Sequence, residues 1–292
     1  FVKLHLSIFL AGFTGIFGKL IQLPEGPLVW YRMLMASVLF FFYLLATGNL
    51  PRIPVREVCK ICGVGALIAL HWMFFYGSVK YANVSIAVVC FALAGFFTAI
   101  LEPLFGRTKL SPREPGDAPR TVAGSAPSAH SDPRYRTGII LGVISAVFAA
   151  LFTIAMRRVG KRHDSTTMLL FQMVGGLAFL TLAAPAYLAF FPGIPVVPGG
   201  MDLLYLFLLS SLCTIGMILL QIQALRTISA FTVNLSFNLE PVYSILLAMV
   251  FLGEASQVSP AFFVGLALIC ASVLLQTLYA IRQRGGLDRK SA

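Results

Sequence analysis

The chain has 292 residues, 58% of them hydrophobic and only 11% charged, with a formal net charge of +11 and a mean hydropathy of +0.88. Soluble domains carry about a quarter charged residues. The composition therefore excludes a soluble enzyme or a soluble nucleic-acid binder, and the positive charge reads as loop bias in an integral membrane protein.

A helix crosses a bilayer with roughly 20 mostly apolar residues. In chain order that length is met at 4–23, 27–47, 58–79, 84–105, 137–157, 166–191, 202–225, 229–252 and 260–281, which makes nine expected spans. The first run lacks a small-residue cleavage site and is followed by further spans, so it reads as a helix and not as a signal peptide. Glycines recur inside the runs, at Gly12, Gly15 and Gly18 and at Gly175 and Gly176, as expected where helix backbones approach closely in lipid. Cys59, Cys62, Cys90, Cys213 and Cys270 lie in or beside apolar runs and serve as small apolar residues. Cys59 and Cys62 form a CxxC without a second ligand pair, so no metal site and no cofactor is expected.

Residues 111–136 break the pattern with a polar, proline-bearing stretch, SPREPGDAPRTVAGSAPSAHSDPRYR. With nine crossings the Lys and Arg residues outside the spans divide evenly between the two sides. One extra crossing between Arg113 and Arg134 places 16 of them on the side of the N-terminus and leaves Lys80, Arg134 and Arg136 on the other, which is the positive-inside pattern. The charges ask for ten crossings. Yet Asp117 and Arg120 each cost about 2.5–3.5 kcal/mol at a helix centre, and Pro115, Pro119 and Pro127 remove hydrogen bonds that lipid cannot replace. Three explanations stand: a short frameshift or sequence error in place of an apolar helix, an irregular chain shielded by protein, or a stretch that stays on the first side.

Several stretches together resemble the drug/metabolite transporter superfamily in its EamA-type branch: LVWYRMLMA (28–36), ALHWMFFYGSVKYANVSIAV (69–88), LEPLFGRTKLSPRE (101–114), GIILGVISAVFAALFTI (138–154) and ALRTISAFTVNLSFNLEPVYSILLAMVFLGE (224–254). The resemblance implies an all-α polytopic membrane helix bundle of two inverted five-helix repeats around a central cavity. The first repeat is expected over 1–110, the polar stretch 111–136 in the place of the fifth helix, and the second repeat over 137–292. It implies a secondary active transporter of the bacterial inner membrane, exporting small organic metabolites such as amino acids by alternating access. The alternative is a non-transporting or decayed permease. Neither HExxH nor GxSxG occurs, and GFTGIFGKL (12–20) has the wrong glycine spacing for a phosphate loop, so an enzyme is not expected. Expected partners are a small-molecule substrate, membrane lipid, a coupling proton and a second copy of the chain, and no nucleic acid.

Candidate substrate-binding residues follow from ionisable and polar groups inside spans. Glu240 falls near mid-span, where a carboxyl is costly and by default functional; a protonated structural Glu is the competing reading. Pro241 frees a carbonyl one turn earlier. On an unbroken helix Ser236 shares the face of Glu240, while Asn234 and Asn238 share another. His71 and Trp72 sit mid-span, where the ring can titrate, bind substrate or simply satisfy a neighbouring helix. Lys19 and Arg32 lie toward one end of their helices and form either a basic mouth for a carboxylate or a pair of snorkelling cations. Gln221, Gln223 and Gln172 either line a cavity or bind helices together.

Overall fold

A computed structural model describes residues 2–105 and 133–251. Described residues form eleven α-helices, one π turn and one 3-10 turn, with no strand among them. The helices are α1 (Val2–Leu20), α2 (Glu25–Ala46), α3 (Val55–Tyr81), α4 (Val84–Phe91), α5 (Leu93–Phe105), α6 (Pro133–Gly160), α7 (Ser165–Phe190), α8 (Gly200–Ser210), α9 (Met217–Leu225), α10 (Ala230–Ser236) and α11 (Glu240–Phe251). Ser211–Gly216 is the π turn joining α8 to α9, and Phe237–Leu239 is the 3-10 turn joining α10 to α11.

Among the described residues six segments are long and apolar enough to cross a membrane: Glu25–Ala46, Val55–Tyr81, Val84–Leu104, Tyr135–Gly160, Ser165–Phe190 and Gly200–Leu225. Of the other expected spans, 4–23 coincides with α1, which carries Lys3, His5 and Lys19, and 229–252 is built from the short pieces α10, the 3-10 turn and α11. The span 260–281 and most of the polar stretch 111–136 lie outside the described residues.

Local chemistry sets the helix ends. After α2 the chain closes on Gly48 at φ 66°, with Asn49 N–H on Leu44 O at 2.9 Å and Gly48 N–H on Leu45 O at 3.2 Å. These are the two bonds of a Schellman motif, which glycine's missing Cβ permits. Before α7, Asp164 accepts from the backbone of Thr166 at 3.1 Å and of Thr167 at 3.0 Å, capping the helix. Burial pushes the Asp164 carboxyl up, but the Thr166 and Thr167 donors outweigh it and hold it at about 2. Asn83 caps α4 in the same way, accepting from Ile86 N–H at 2.8 Å.

α3 is the central helix, packed most extensively on α6 and α7, while α1 lies against α11 and α9. The α3–α7 contact is backbone on backbone: a Cβ added at Gly65 would stand 2.1 Å from the Gln172 carbonyl oxygen, and one at Gly175 would stand 2.3 Å from Cys62 Cα. No side chain fits there, which is why glycine occupies both positions. At one end of the bundle α3 begins and α6, α7 and α9 meet. Glu57 contacts His163 at 3.1 Å, and Arg226 donates to the His163 carbonyl at 2.8 Å. With Arg157, Arg158, Lys161 and Arg162 there as well, this is the basic end.

Candidate functional site

Between α1, α3, α4, α6, α9 and the α10–α11 junction lies a narrow cavity in which water centres can occupy about 40 Å³, room for about three waters. Its polar lining comes from Thr14, His71, Thr153, Gln221, Asn234 and Glu240, and its apolar walls include Trp72, Phe75, Phe91, Phe152 and Phe237. Glu240 is 4% exposed, and among the described residues its carboxyl accepts no hydrogen bond.

The α10–α11 junction explains which groups reach this cavity. Pro241 has no N–H for the Phe237 carbonyl, and the Glu240 N–H takes that carbonyl, closing the 3-10 turn. A 3-10 residue turns about 120° against about 100° in an α-helix. Three such steps bring Asn234 toward the face of Glu240 and carry Ser236 away from it. Asn234 accordingly lines the cavity with Glu240, whereas the Ser236 hydroxyl donates to Thr232 O at 2.8 Å, one turn back. The side chain of Asn238 lies outside the described residues.

His71 Nδ1 lies 3.0 Å from the Ser145 carbonyl and 2.9 Å from its hydroxyl, which itself donates to His71 O at 3.1 Å. A carbonyl can only accept, so Nδ1 carries a proton and Nε2 of the neutral ring is the acceptor. Gln221 lines the cavity at 6% exposure. Gln223 instead binds helices together, accepting from Lys3 Nζ at 2.7 Å. Gln172 does neither: both its amide atoms are buried without a hydrogen-bond partner among the described residues.

Arg32 and Lys19 do not pair as a mouth. Lys19 is exposed at the end of α1, while Arg32 is fully buried. Its guanidinium carbon stands 3.5 Å from the Trp72 ring centroid. Nε donates to Thr214 Oγ1 at 2.7 Å, Nη1 to Tyr76 OH at 2.8 Å and Nη2 to the Cys213 carbonyl at 3.0 Å. The π turn makes this possible. Its wider winding breaks the α-helical pairing pattern, so the Met217 N–H reaches Leu212 O and Cys213 O accepts from Arg32. Arg32 therefore joins α2, α3 and the π turn beside the cavity, in electrostatic range of Glu240 without touching it.

On the basic-end side of the cavity a second set of polar bonds crosses the helices. Thr153 Oγ1 donates to Asn234 Oδ1 at 3.0 Å and Asn234 Nδ2 to Thr98 Oγ1 at 2.7 Å. One turn on along both α5 and α6, Arg157 Nη1 meets Glu102 Oε1 at 2.7 Å. Sequence reasoning left out Thr98, Ser145 and Thr153. A hydroxyl inside an apolar helix bonds its own backbone by default, as Thr98 does here and as Thr153 does by sharing its single hydrogen between Ala149 O and Asn234 Oδ1, so only the packing shows that they also reach another helix. No group of three or more His, Cys, Asp or Glu suited to a metal ion occurs among the described residues.

The model of the EamA-like transporter family matches residues 3–115 and 136–278, leaving 116–135 unmatched. The uncharacterized transporter YxxF of Bacillus subtilis (strain 168) is 26% identical over 263 residues, covering 86% of this chain and 81% of that protein. An uncharacterized transporter of Haemophilus influenzae is 25% identical over 166 residues, covering 53% of this chain and 54% of its own length. A solved crystal structure of a protein superposes with a TM-score of 0.70 over 97% of both chains at 21% identity, a likeness of fold.

Proposed function

Because this chain belongs to the EamA-like transporter family, within the drug/metabolite transporter superfamily, and is a multi-pass membrane transporter and not an enzyme, we propose that it is a secondary active exporter of small organic metabolites such as amino acids, working by alternating access. It belongs in this reading to the inner membrane of a bacterium, with its basic end toward the cytoplasm. Its fold would be of the ten-helix type with two inverted repeats, 1–110 and 137–292, and with the polar stretch 111–136 in the place of the fifth helix, leaving nine spans.

The observation that carries the reading is Glu240: a buried carboxyl with no hydrogen-bond partner among the described residues, facing a cavity between helices. An ionisable group inside a membrane bundle is expensive unless it serves a passing solute or proton. Glu240 is assigned to substrate and to the coupling proton, with His71, Trp72, Gln221 and Asn238 as further substrate contacts. Ser236 and Arg32 lie off the cavity in the described arrangement. They, and the exposed Lys19, would meet substrate only after the helices move. The small cavity supports this, because solute sites are usually about 300–1,000 Å³. Flux of a labelled amino-acid panel from proteoliposomes under a pH gradient tests the proposal. No flux and no binding for any member, with the protein folded, would overturn it.

The second reading, a permease-like protein that does not transport, draws on residues 116–135, which the family model leaves unmatched. Translating the gene in its other two frames identifies a frameshift directly. Single cysteines at Ser128 and Gly160, labelled from outside intact cells, decide the topology. Label at Ser128 alone favours transport, and label at Gly160 alone favours the second reading.

A further inference from the structure

α3 begins at the basic end, so its last turn lies at the opposite end of the bundle, beside the turn that joins α1 to α2. Two charged side chains from other helices hold that turn. Gln22 N–H donates to Asp202 Oδ1, in the first turn of α8, at 2.9 Å, and Lys80 Nζ, in the last turn of α3, donates to the Ile21 carbonyl. The Ile21 carbonyl and the Gln22 N–H belong to one peptide unit. That peptide is trans, so its two polar atoms point in opposite directions. A carboxylate and an ammonium therefore grip the same peptide from its two sides, in electrostatic range of each other. Asp202 is 6% exposed, and its second oxygen accepts from Gly199 N–H at 3.3 Å, which fixes the side chain on α8. Ile21 and Leu23, on either side of Gln22, are 0% and 1% exposed and plug the bundle around the gripped peptide.

We infer that the α1–α2 turn is a lid at this end of the path from the central cavity, latched shut by Asp202 and Lys80. Along α3 the cavity residue Trp72, the Arg32 partner Tyr76 and the latch residue Lys80 follow one another at four-residue steps, each about 6 Å. The turn thus closes the bundle about one helical turn beyond Arg32. Once α1 has ended, the Ile21 carbonyl and the Gln22 N–H have no helical partner, and the latch supplies both. Releasing the turn strips one bond from each of two charged groups and leaves both polar atoms of the peptide open, so the lid is either gripped or free. The Asp202 bond also crosses from 137–292 to 1–110, and parting the two proposed repeats at this end requires breaking it. The inference rests on the proposed alternating access. Asp202 and Lys80 are positioning residues, since neither lines the cavity.

The test is the reactivity of a thiol placed in the lid. Leu23→Cys is made in a background whose native cysteines are replaced, and the purified protein in detergent is treated with a maleimide. Ala69→Cys, at a fully buried position of α3, is the reference. With the latch intact, Leu23→Cys is expected to react slowly. Lys80→Met and Asp202→Asn should each raise its rate at least about tenfold, the loss of one hydrogen bond to a charged group, while Ala69→Cys stays protected. Lys19→Met removes a neighbouring exposed charge that bonds nothing in the turn among the described residues, and should leave the rate nearly unchanged. Each latch variant serves for the other where one fails to fold, and Ile21→Cys serves for Leu23→Cys. A rate unchanged in the latch variants would overturn the lid, as would an equal rise at Ala69→Cys or fast reaction with the latch intact. Labelling needs no solute, so its outcome is separate from that of the flux measurement.

Discussion

On one side of the cavity a single side chain, Arg32, joins α2, α3 and the π turn through three hydrogen bonds and an aromatic face. On the basic-end side the joining is divided between neutral Thr98, Asn234 and Thr153 and a mostly buried pair, Glu102 and Arg157. The first arrangement concentrates its stability in one buried cation with only neutral partners. Removing it strips several groups at once. The second spreads its stability over bonds that are each replaceable, two of its members already being satisfied by their own helix backbone. Under the proposed alternating access, the first side is the harder to open without an incoming charge or a helix movement. The second can open by small steps.

The contrast predicts a ranking. Arg32→Ala leaves Thr214 Oγ1, Tyr76 OH and the Cys213 carbonyl without their shared donor and opens a cavity, which is expected to cost about 2–5 kcal/mol, seen as a large drop in the thermal midpoint in detergent. Arg32→Lys recovers only part of that, because one ammonium cannot reproduce the planar fork. A loss under about 1 kcal/mol would erase the distinction between the two sides.

Between the two seals, Glu240→Gln keeps size and polarity while removing the charge. Proton-driven flux is expected to fall at least about tenfold, equivalent to about 1.4 kcal/mol, with the melting midpoint nearly unchanged. Equal loss of flux and of stability would instead assign Glu240 to structure.

Asn234→Ala removes the link between α5 and α6 and is expected to cost about 0.6–1.7 kcal/mol, the range of hydrogen bonds between membrane helices. Glu102→Gln should cost least, below about 1 kcal/mol, since the Gln side-chain carbonyl can still accept from Arg157 and only the charge of the pair is lost. If urea or heat denaturation ranks Glu102→Gln above Asn234→Ala, the ladder depends on its charges and the comparison must be redrawn.

How far the sequence reaches can be judged at the same residues. An Arg and a Glu inside apolar runs announce themselves by composition, and both were singled out. The depth of Arg32 was not visible, because its burial depends on the carbonyl and hydroxyl that a π turn presents, and a π turn leaves no mark in residue type or period. That Asn234 and Glu240 line one cavity is hidden in the sequence for a related reason. Pro241 showed that a carbonyl would be freed, but helical phase was still counted at the α-helical step, which puts Ser236 beside Glu240. The partners Thr98, Ser145 and Thr153 are ordinary residues made important by which helices adjoin, and adjacency is a property of the packed bundle. Expected helix extents fared better: 58–79 against Val55–Tyr81 and 166–191 against Ser165–Phe190, since a long apolar run has one physical explanation in lipid.

The glycine contact between α3 and α7 has a mechanical consequence. Helices that interlock through ridges and grooves must climb over one another to change angle, whereas Gly65 and Gly175 offer no ridge. The two helices can swing about that point like blades about a rivet. The Arg32 set, at the level of Trp72 and Tyr76, lies farther along α3 than this point, so under the proposed alternating access a small tilt at the rivet becomes a larger travel there. Under the proposed alternating access, widening the joint with Gly65→Ala, whose Cβ would stand 2.1 Å from the Gln172 carbonyl oxygen, is expected to push the helices apart and block that swing.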